Sequence, residues 1–302
     1  MANRTGYDRR VLDLFDGYVH GKVTRRQFLD RAAAITASGV SAATLLASLS
    51  PDYSLAQQVD PGDPSISTSY KKYASPDGAG VMQGYFARPT VVEHKLPGVV
   101  VIHENRGLNP YIEDVARRLA VAGFIAFAPD ALTPLGGYPG NDDEGRAMQR
   151  ERDRNEMVED FVAAVAFLQR HPDCTGTVGS VGFCFGGEVS LRLAVRLANL
   201  GAAVAFYGRH PSADDTAKIR APLMLHHAGL DERVNATWPA FEEALQDSEL
   251  DYINYLYADV NHGFHNNTTP RFDEAAAALA WQRTIEHFSR HLIPDAKQGN
   301  SD

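Results

Sequence analysis

Cys184 stands in Val181-Gly182-Phe183-Cys184-Phe185-Gly186-Gly187, a small-x-nucleophile-x-small pattern between a strand-like run and a helix-like one. A nucleophile on so sharp a turn takes up strained dihedrals, and glycines beside it remove the Cβ groups that would block the turn. The helix that begins there aims its N-terminus at the sulfur, which favours thiolate. It also leaves the backbone N–H of Phe185 as a candidate donor to an oxyanion. Alone, the pattern describes equally well a glycine-rich turn around an inert, buried cysteine. Order and spacing favour chemistry. Asp231 follows the run Ala228-Gly229-Leu230 just past a strand-like segment, and His262 lies in Asp259-Val260-Asn261-His262-Gly263-Phe264 before the last helical pattern. Nucleophile, acid, then histidine is one of the chain orders in which hydrolytic triads occur.

The elements that must position these residues alternate. From Tyr70 onward, short apolar runs are separated by helical patterns, the sign of a mostly parallel sheet with helices on both faces. Val81–Ala87 reads as an edge strand, and Gly98–His103 as a buried one. Asn109 can cap a helix with Pro110 at its first position and Gly123 at its close. Strands are expected at Phe124–Ala128, Thr177–Gly182, Ala202–Tyr207, Pro222–His227 and Tyr252–Tyr257. Met157, Phe161, Val165 and Leu168 share a helical face, as do Ala277, Trp281, Ile285 and Phe288. The expected organisation is an N-terminal segment over residues 1–56, a linker over 57–69, one domain over 70–295 and a tail over 296–302.

A cysteine in the nucleophile position, together with Val101-Ile102-His103-Glu104-Asn105-Arg106-Gly107 after the first buried strand, resembles the dienelactone hydrolase family over about Val81 to Leu292. The resemblance implies an α/β-hydrolase fold and ester or lactone cleavage through an acyl-enzyme. It implies a glutamate at Glu104 that interacts with the thiol, and a triad of Cys184, His262 and Asp231. The oxyanion hole would be formed by the N–H groups of Asn105 and Phe185. Two arginines that hold a substrate carboxylate in the family are absent, since Ala131-Leu132-Thr133-Pro134 and Asn266 fill those places. Phe183, Phe185, Tyr207, Tyr138 and Phe264 would then give aromatic, apolar walls, and His265, just past the histidine loop, is a further candidate for the pocket lining. Arg106 or Arg209 could substitute. Neutral esters are therefore the expected substrates. A rival reading makes Cys184 a redox-sensing or binding thiol, although Cys174 should sit at the other end of its strand.

Of the 302 residues, 44% are hydrophobic and 22% charged, ordinary values that exclude disorder and coiled coil. The net charge is −9, and the first 56 residues carry seven basic and five acidic side chains, so the remainder is more acidic still. Nucleic-acid binding is therefore not expected. Two cysteines make no disulfide framework, and neither metal-ligand spacing nor a dinucleotide or phosphate fingerprint appears, so no cofactor or metal is expected. His103 reads as a core histidine, and His226 and His227, adjacent on a strand, face opposite ways. Thr24-Arg25-Arg26-Gln27-Phe28-Leu29, an uncharged stretch from Ala32 to Pro51, and Ser54-Leu55-Ala56 resemble a twin-arginine export signal. That points to the export machinery as partner and to the periplasm. The stretch is too weakly apolar for a stable membrane span. Alternatively Val11, Leu12, Leu14, Phe15 and Val19 form the apolar stripe of a retained amphipathic helix.

Overall fold

A computed structural model describes residues 6–35 and 41–293; the expected tail lies outside them. The chain begins with three short helices, α1 (Arg9–Val19), α2 (Arg25–Ile35) and α3 (Ala42–Leu49). The body follows as β1 (Ile66–Ser75), β2 (Gly80–Pro89), β3 (Leu96–Ile102), α4 (Pro110–Val121), β4 (Ile125–Pro129), α5 (Asp142–Glu151) and α6 (Arg154–Gln169). Then come β5 (Cys174–Phe183), α7 (Phe185–Arg196), β6 (Ala203–Phe206), α8 (Ala213–Thr216), β7 (Leu223–Ala228), α9 (Glu232–Asn235), α10 (Trp238–Asp247), β8 (Tyr252–Tyr257) and α11 (Glu274–Leu292).

The eight strands form one sheet in the order β1-β2-β4-β3-β5-β6-β7-β8. Strands β3 to β8 pair in parallel, whereas β2 runs antiparallel to both β1 and β4. Residues 99–102 of β3 are wholly buried because the sheet is covered on both faces. Val99 and Val101 face a core completed by α4 and α11, and Val100 and Ile102 face one completed by α6, α7 and α10. The helix starts follow the residues read from sequence. Asn109 caps α4 through its side chain, Pro110 takes the first position, and Gly123 adopts φ +92° beyond its end. The result is the expected α/β-hydrolase-like architecture.

Two boundaries differ from expectation. The segment 57–69 is not a free linker. The N–H of Val59 donates to Asp114, Arg117 donates to the carbonyls of Ala56 and Val59, and β1 begins at Ile66 to form the outer strand. The alternating pattern is weak in β1, whose middle residues Ser69 to Lys72 are not buried, which is why the strand is hard to read.

The first 56 residues, which read either as an export signal or as a retained amphipathic helix, form a folded arm where they are described. Val11, Leu12, Phe15 and Val19 bury the stripe of α1 against Phe28 of α2 and Leu45, Leu46 and Leu49 of α3. Helices of 8 to 11 residues are marginal alone, so this shared core is what holds them. Each such side chain contributes about 1.5–3 kcal/mol when fully buried. The arm is fastened to the body by polar contacts. The carbonyl of Val19 accepts from Asn105 Nδ2 at 2.7 Å, Tyr18 donates to Asp143 at 2.5 Å, and Arg9 meets Glu232 at 3.2 Å. Arg25, the first of the twin arginines, begins α2 and pairs with Asp143 at 3.0 Å. No helix among the described residues is long and apolar enough to cross a membrane.

Candidate active site

Strand β5 ends at Phe183 and α7 begins at Phe185, leaving Cys184 alone on the turn with φ 57° and ψ −110°. For a residue with a side chain that conformation costs on the order of 1–3 kcal/mol. The neighbouring glycines permit it. A Cβ on Gly182 would run into the backbone of Gly186, and one on Gly186 into the carbonyl of Ile102. The Cys184 N–H is tied to the Phe206 carbonyl at 3.0 Å, which fixes the turn against β6. The sulfur is thus presented at the carboxyl edge of the sheet, where parallel α/β sheets keep their sites.

Asp231 lies three residues beyond β7 and caps the short helix α9, one oxygen accepting from the N–H of Val234. Its other oxygen meets His262 Nδ1 at 2.5 Å. His262 comes from the loop between β8 and α11, and its Nε2 has no hydrogen-bond partner among the described residues. A second imidazole approaches from the arm. His20, which ends α1, places Nε2 3.4 Å from the Cys184 sulfur, and its ring meets that of His262 edge-on at 4.8 Å. Its Nδ1 lies 2.8 Å from the Asp16 carbonyl and 3.1 Å from the Asp16 carboxylate. Arg233 Nη2 sits 3.3 Å from His20 Nε2 and 3.2 Å from His262 Nδ1, between the two Asp–His pairs.

Burial by itself would raise the Cys184 thiol, but His262 and His20 overcome that and bring it down to about 5. Burial would lower His262, yet the facing thiolate and the Asp231 carboxylate push it up to about 10. His20 is raised for the same reason, its burial outweighed by Cys184 and Asp16. Thiolate and imidazolium therefore favour one another across neutral pH. His20, Cys184 and His262 bring potential ligand atoms within 4.8 Å of one another. A guanidinium against two of these rings is a poor neighbour for a metal cation.

Glu104 is buried beside this edge, but its carboxylate accepts from Asn266 at 2.9 Å and pairs with Arg106 at 3.3 Å. The expected partner of the sulfur is thus otherwise engaged, and the sulfur's hydrogen bond goes to His20. Asn266, at the place of a family arginine, serves Glu104 instead of a substrate. The N–H groups of Asn105 and Phe185 have no acceptor among the described residues, and both residues line the cleft beside Cys184. Cys174 begins β5 and is buried at the far end of the strand from Cys184. His103 is a buried histidine bound to the Glu104 carbonyl and the Ala131 N–H.

The apolar wall expected around the site is a correction. Tyr207 and Phe185 line the cleft, but Phe183 and Phe264 are wholly buried in the core, stacked against Phe206, Tyr207 and Tyr257. His265 bonds to Tyr111, Tyr138 to Asp142, and Arg106 to Glu104 and Asp142, all outside the cleft. The cleft, of about 350 Å³, is walled by seven Lys and Arg residues and a single acid, Glu188. Three of those cations, Lys22, Arg150 and Arg209, have no carboxylate partner among the described residues, while Arg154 already holds Glu188. Sequence reasoning missed His20, Asp16, Arg233 and Arg150. The one available signal was Asp16 and His20 four apart on an amphipathic helix, a spacing that says nothing about where the helix docks.

The family model of the dienelactone hydrolases matches residues 82–292. The chain belongs to the dienelactone hydrolase family. As a member it is an ester- or lactone-hydrolysing enzyme. Its body is 31% identical, over 69% of this chain and 89% of the other, to a Bradyrhizobium protein described as a 2-oxo-3-(5-oxofuran-2-ylidene)propanoate lactonase. A hydrolase fragment of Escherichia coli (strain K12), YghX, is 55% identical over 38% of this chain and 97% of its own length. A dienelactone hydrolase structure from Klebsiella pneumoniae superposes with a TM-score of 0.66 at 23% identity, covering 74% of this chain and 99% of that one. A second family model, YqhI-like, matches residues 3–36 of the arm.

The rate of alkylation of Cys184 by iodoacetamide should rise with pH through a midpoint near 5, because thiolate is the reacting form above that value. A midpoint in the ordinary thiol range, about 8.5, would show that the imidazoles do not hold the charge.

Proposed function

We propose that Cys184 is the nucleophile of this enzyme, with His262 as acid and base and Asp231 orienting it. The single observation that carries the reading is the convergence of the three from separate elements on one edge of the sheet, joined by the 2.5 Å Asp231–His262 contact. The sulfur attacks the carbonyl carbon of an ester or lactone, and the alkoxide that leaves takes its proton from His262. Water then attacks the thioester while His262 accepts its proton, and the C–S electrons return to sulfur. The N–H groups of Asn105 and Phe185 are suited to the oxyanion of both tetrahedral intermediates.

We infer further that the substrate carries a negative charge. Lys22, Arg150 and Arg209 gather unpaired positive charge at the rim of the cleft, which draws in a carboxylate or phosphate and offers it charge-assisted hydrogen bonds. This replaces the neutral substrate expected when only the two family positions are considered. Arg150 and Arg209 can serve where Pro134 and Asn266 cannot.

For the arm we propose retention in the mature protein. Support comes from its buried core and from His20 on the sulfur, since cleavage near Ala56 would remove both. Export through the twin-arginine pattern, with cleavage, is the competing proposal for the same residues. Intact-mass measurement on protein from its native host should find the residues before Ala56 present; a mature terminus near Gln57 would establish processing instead.

Cys184→Ala should lower kcat for a responsive ester or lactone on the order of 10⁴-fold or more, as removal of a triad nucleophile does. Retention of a tenth of the rate would identify another nucleophile. Between a carboxylated lactone or ester and its methyl ester, kcat/KM should favour the acid by at least about tenfold, equivalent to about 1.4 kcal/mol. Arg150→Ala combined with Arg209→Ala should erase that preference, and an unaltered ratio would locate the selectivity elsewhere.

A further inference from the structure

We propose that Asp16 and His20 of the N-terminal arm form a second Asp–His pair of the active site, in which His20 is a catalytic residue that stabilises the charged Cys184 sulfur by a hydrogen bond, opposite Asp231–His262. The inference rests on Cys184 being the nucleophile. The two dyads share a construction. In each, an aspartate carboxylate lies against Nδ1 of a histidine, at 2.5 Å in Asp231–His262 and at 3.1 Å in Asp16–His20, where the hydrogen bond of Nδ1 goes to the Asp16 carbonyl at 2.8 Å. In each, the other ring nitrogen is left free of the carboxylate. His20 Nε2 is 3.4 Å from the sulfur.

The groups that face His20 are Asp16 from its own helix, Cys184 from the elbow, His262 from the loop after β8 and Arg233 from α9. Burial alone would raise the Asp16 carboxyl, but His20 first, then His262 and Arg271 at 3.7 Å, hold it well below the usual carboxylate range; Arg233 lies 3.8 Å away. His20 also borders the open cleft together with Cys184, Tyr207 and Asn105. The arm is therefore a wall of the site beside the substrate's entry, not a plug in it.

The proton account follows. At rest the thiol proton resides on an imidazole and the electron pair on sulfur. During acylation the sulfur pair forms the C–S bond and His262 protonates the departing oxygen. During hydrolysis of the thioester, His262 takes the proton of water and the C–S pair returns to sulfur. His20 hydrogen-bonds the sulfur whenever it bears charge, at the start of the cycle and again as the thioester collapses. No net proton passes through His20.

The test uses the full chain with His20→Ala, the closer-fitting His20→Gln, and Asp16→Asn. Cys184 ionisation is followed by thiolate ultraviolet absorbance and by iodoacetamide alkylation against pH, neither of which needs a substrate. With His20→Ala and with His20→Gln the midpoint should move upward from about 5 by about one pH unit or more, because an opposing positive partner is lost. Asp16→Asn should move it in the same direction by less. Turnover at pH 6 should fall about twofold or more with both His20 variants, since a shift of one pH unit takes the thiolate from about nine-tenths to about half, with most of the loss regained at pH 9. An unmoved midpoint in His20→Gln would overturn the proposal and leave His20 as packing. So would full restoration of the wild-type profile by glutamine, which fills the space without the charge. Should the midpoint move while the wild-type protein hydrolyses neither esters nor lactones, the dyad stands and the hydrolytic reading falls.

Discussion

A negatively charged sulfur that is only partly open to the cleft has to be compensated, and the architecture around Cys184 follows from that requirement. Removing a thiolate from solvent without partners costs several kcal/mol. The sheet alone supplies only one imidazole, from the loop after β8. The remaining compensation comes from outside the body, through His20, the residue that follows α1 as its C-cap. Each supporting aspartate is held ionised first by its histidine, with Arg271 beside Asp16 and Arg233 beside Asp231, so positive and negative groups alternate outward from the sulfur. The strained elbow and its close-packed glycines serve the same end, because they bring the sulfur to a place that elements from three parts of the chain can reach.

Much of the body could be read from its sequence because the relevant physics is local. The β-branched run ending at Ile102, the cap at Asn109 and the glycines about Cys184 each record a backbone requirement in residue type. The order of Cys184, Asp231 and His262 restricts the chemistry further, since strand ends in a parallel sheet share one edge. The failures have a common cause. Glu104 was assigned to the sulfur by resemblance, but its fate depends on Asn266, 162 residues away, and on Arg106. Phe183 and Phe264 resemble pocket aromatics in sequence, yet alternation along β5 and the fold of the loop after β8 turn both into the core. In the arm the apolar stripe of α1 is legible, but its docking on the body is not. Twin arginines and a small-residue stretch are read by composition, whereas the position of His20 is a tertiary fact.

The cleft charge illustrates how poorly net charge forecasts a site. The chain as a whole is acidic, at −9, but its cations are gathered where Lys22 of the arm meets α5 and its flanks. Several are drawn there by structural partners. Arg152 pairs with Glu156 and Asp160, and Arg146 with Asp143. The surplus is small in number but collected in about 350 Å³, where low dielectric walls strengthen its field. Local placement, not composition, decides what enters.

Asp16 has one more consequence. Its carboxylate lies between His20, which faces the sulfur, and the arginines of the body, which hold the arm. Seating of the arm and ionisation of the sulfur are therefore two equilibria with a shared term, and such coupling is reciprocal. Whatever free energy the seated arm contributes to the thiolate, the thiolate returns to the seating of the arm. Anything that discharges the sulfur, whether a proton in acid, an alkylating reagent or an acyl group, loosens the grip of a helix whose centre lies several residues from the reaction.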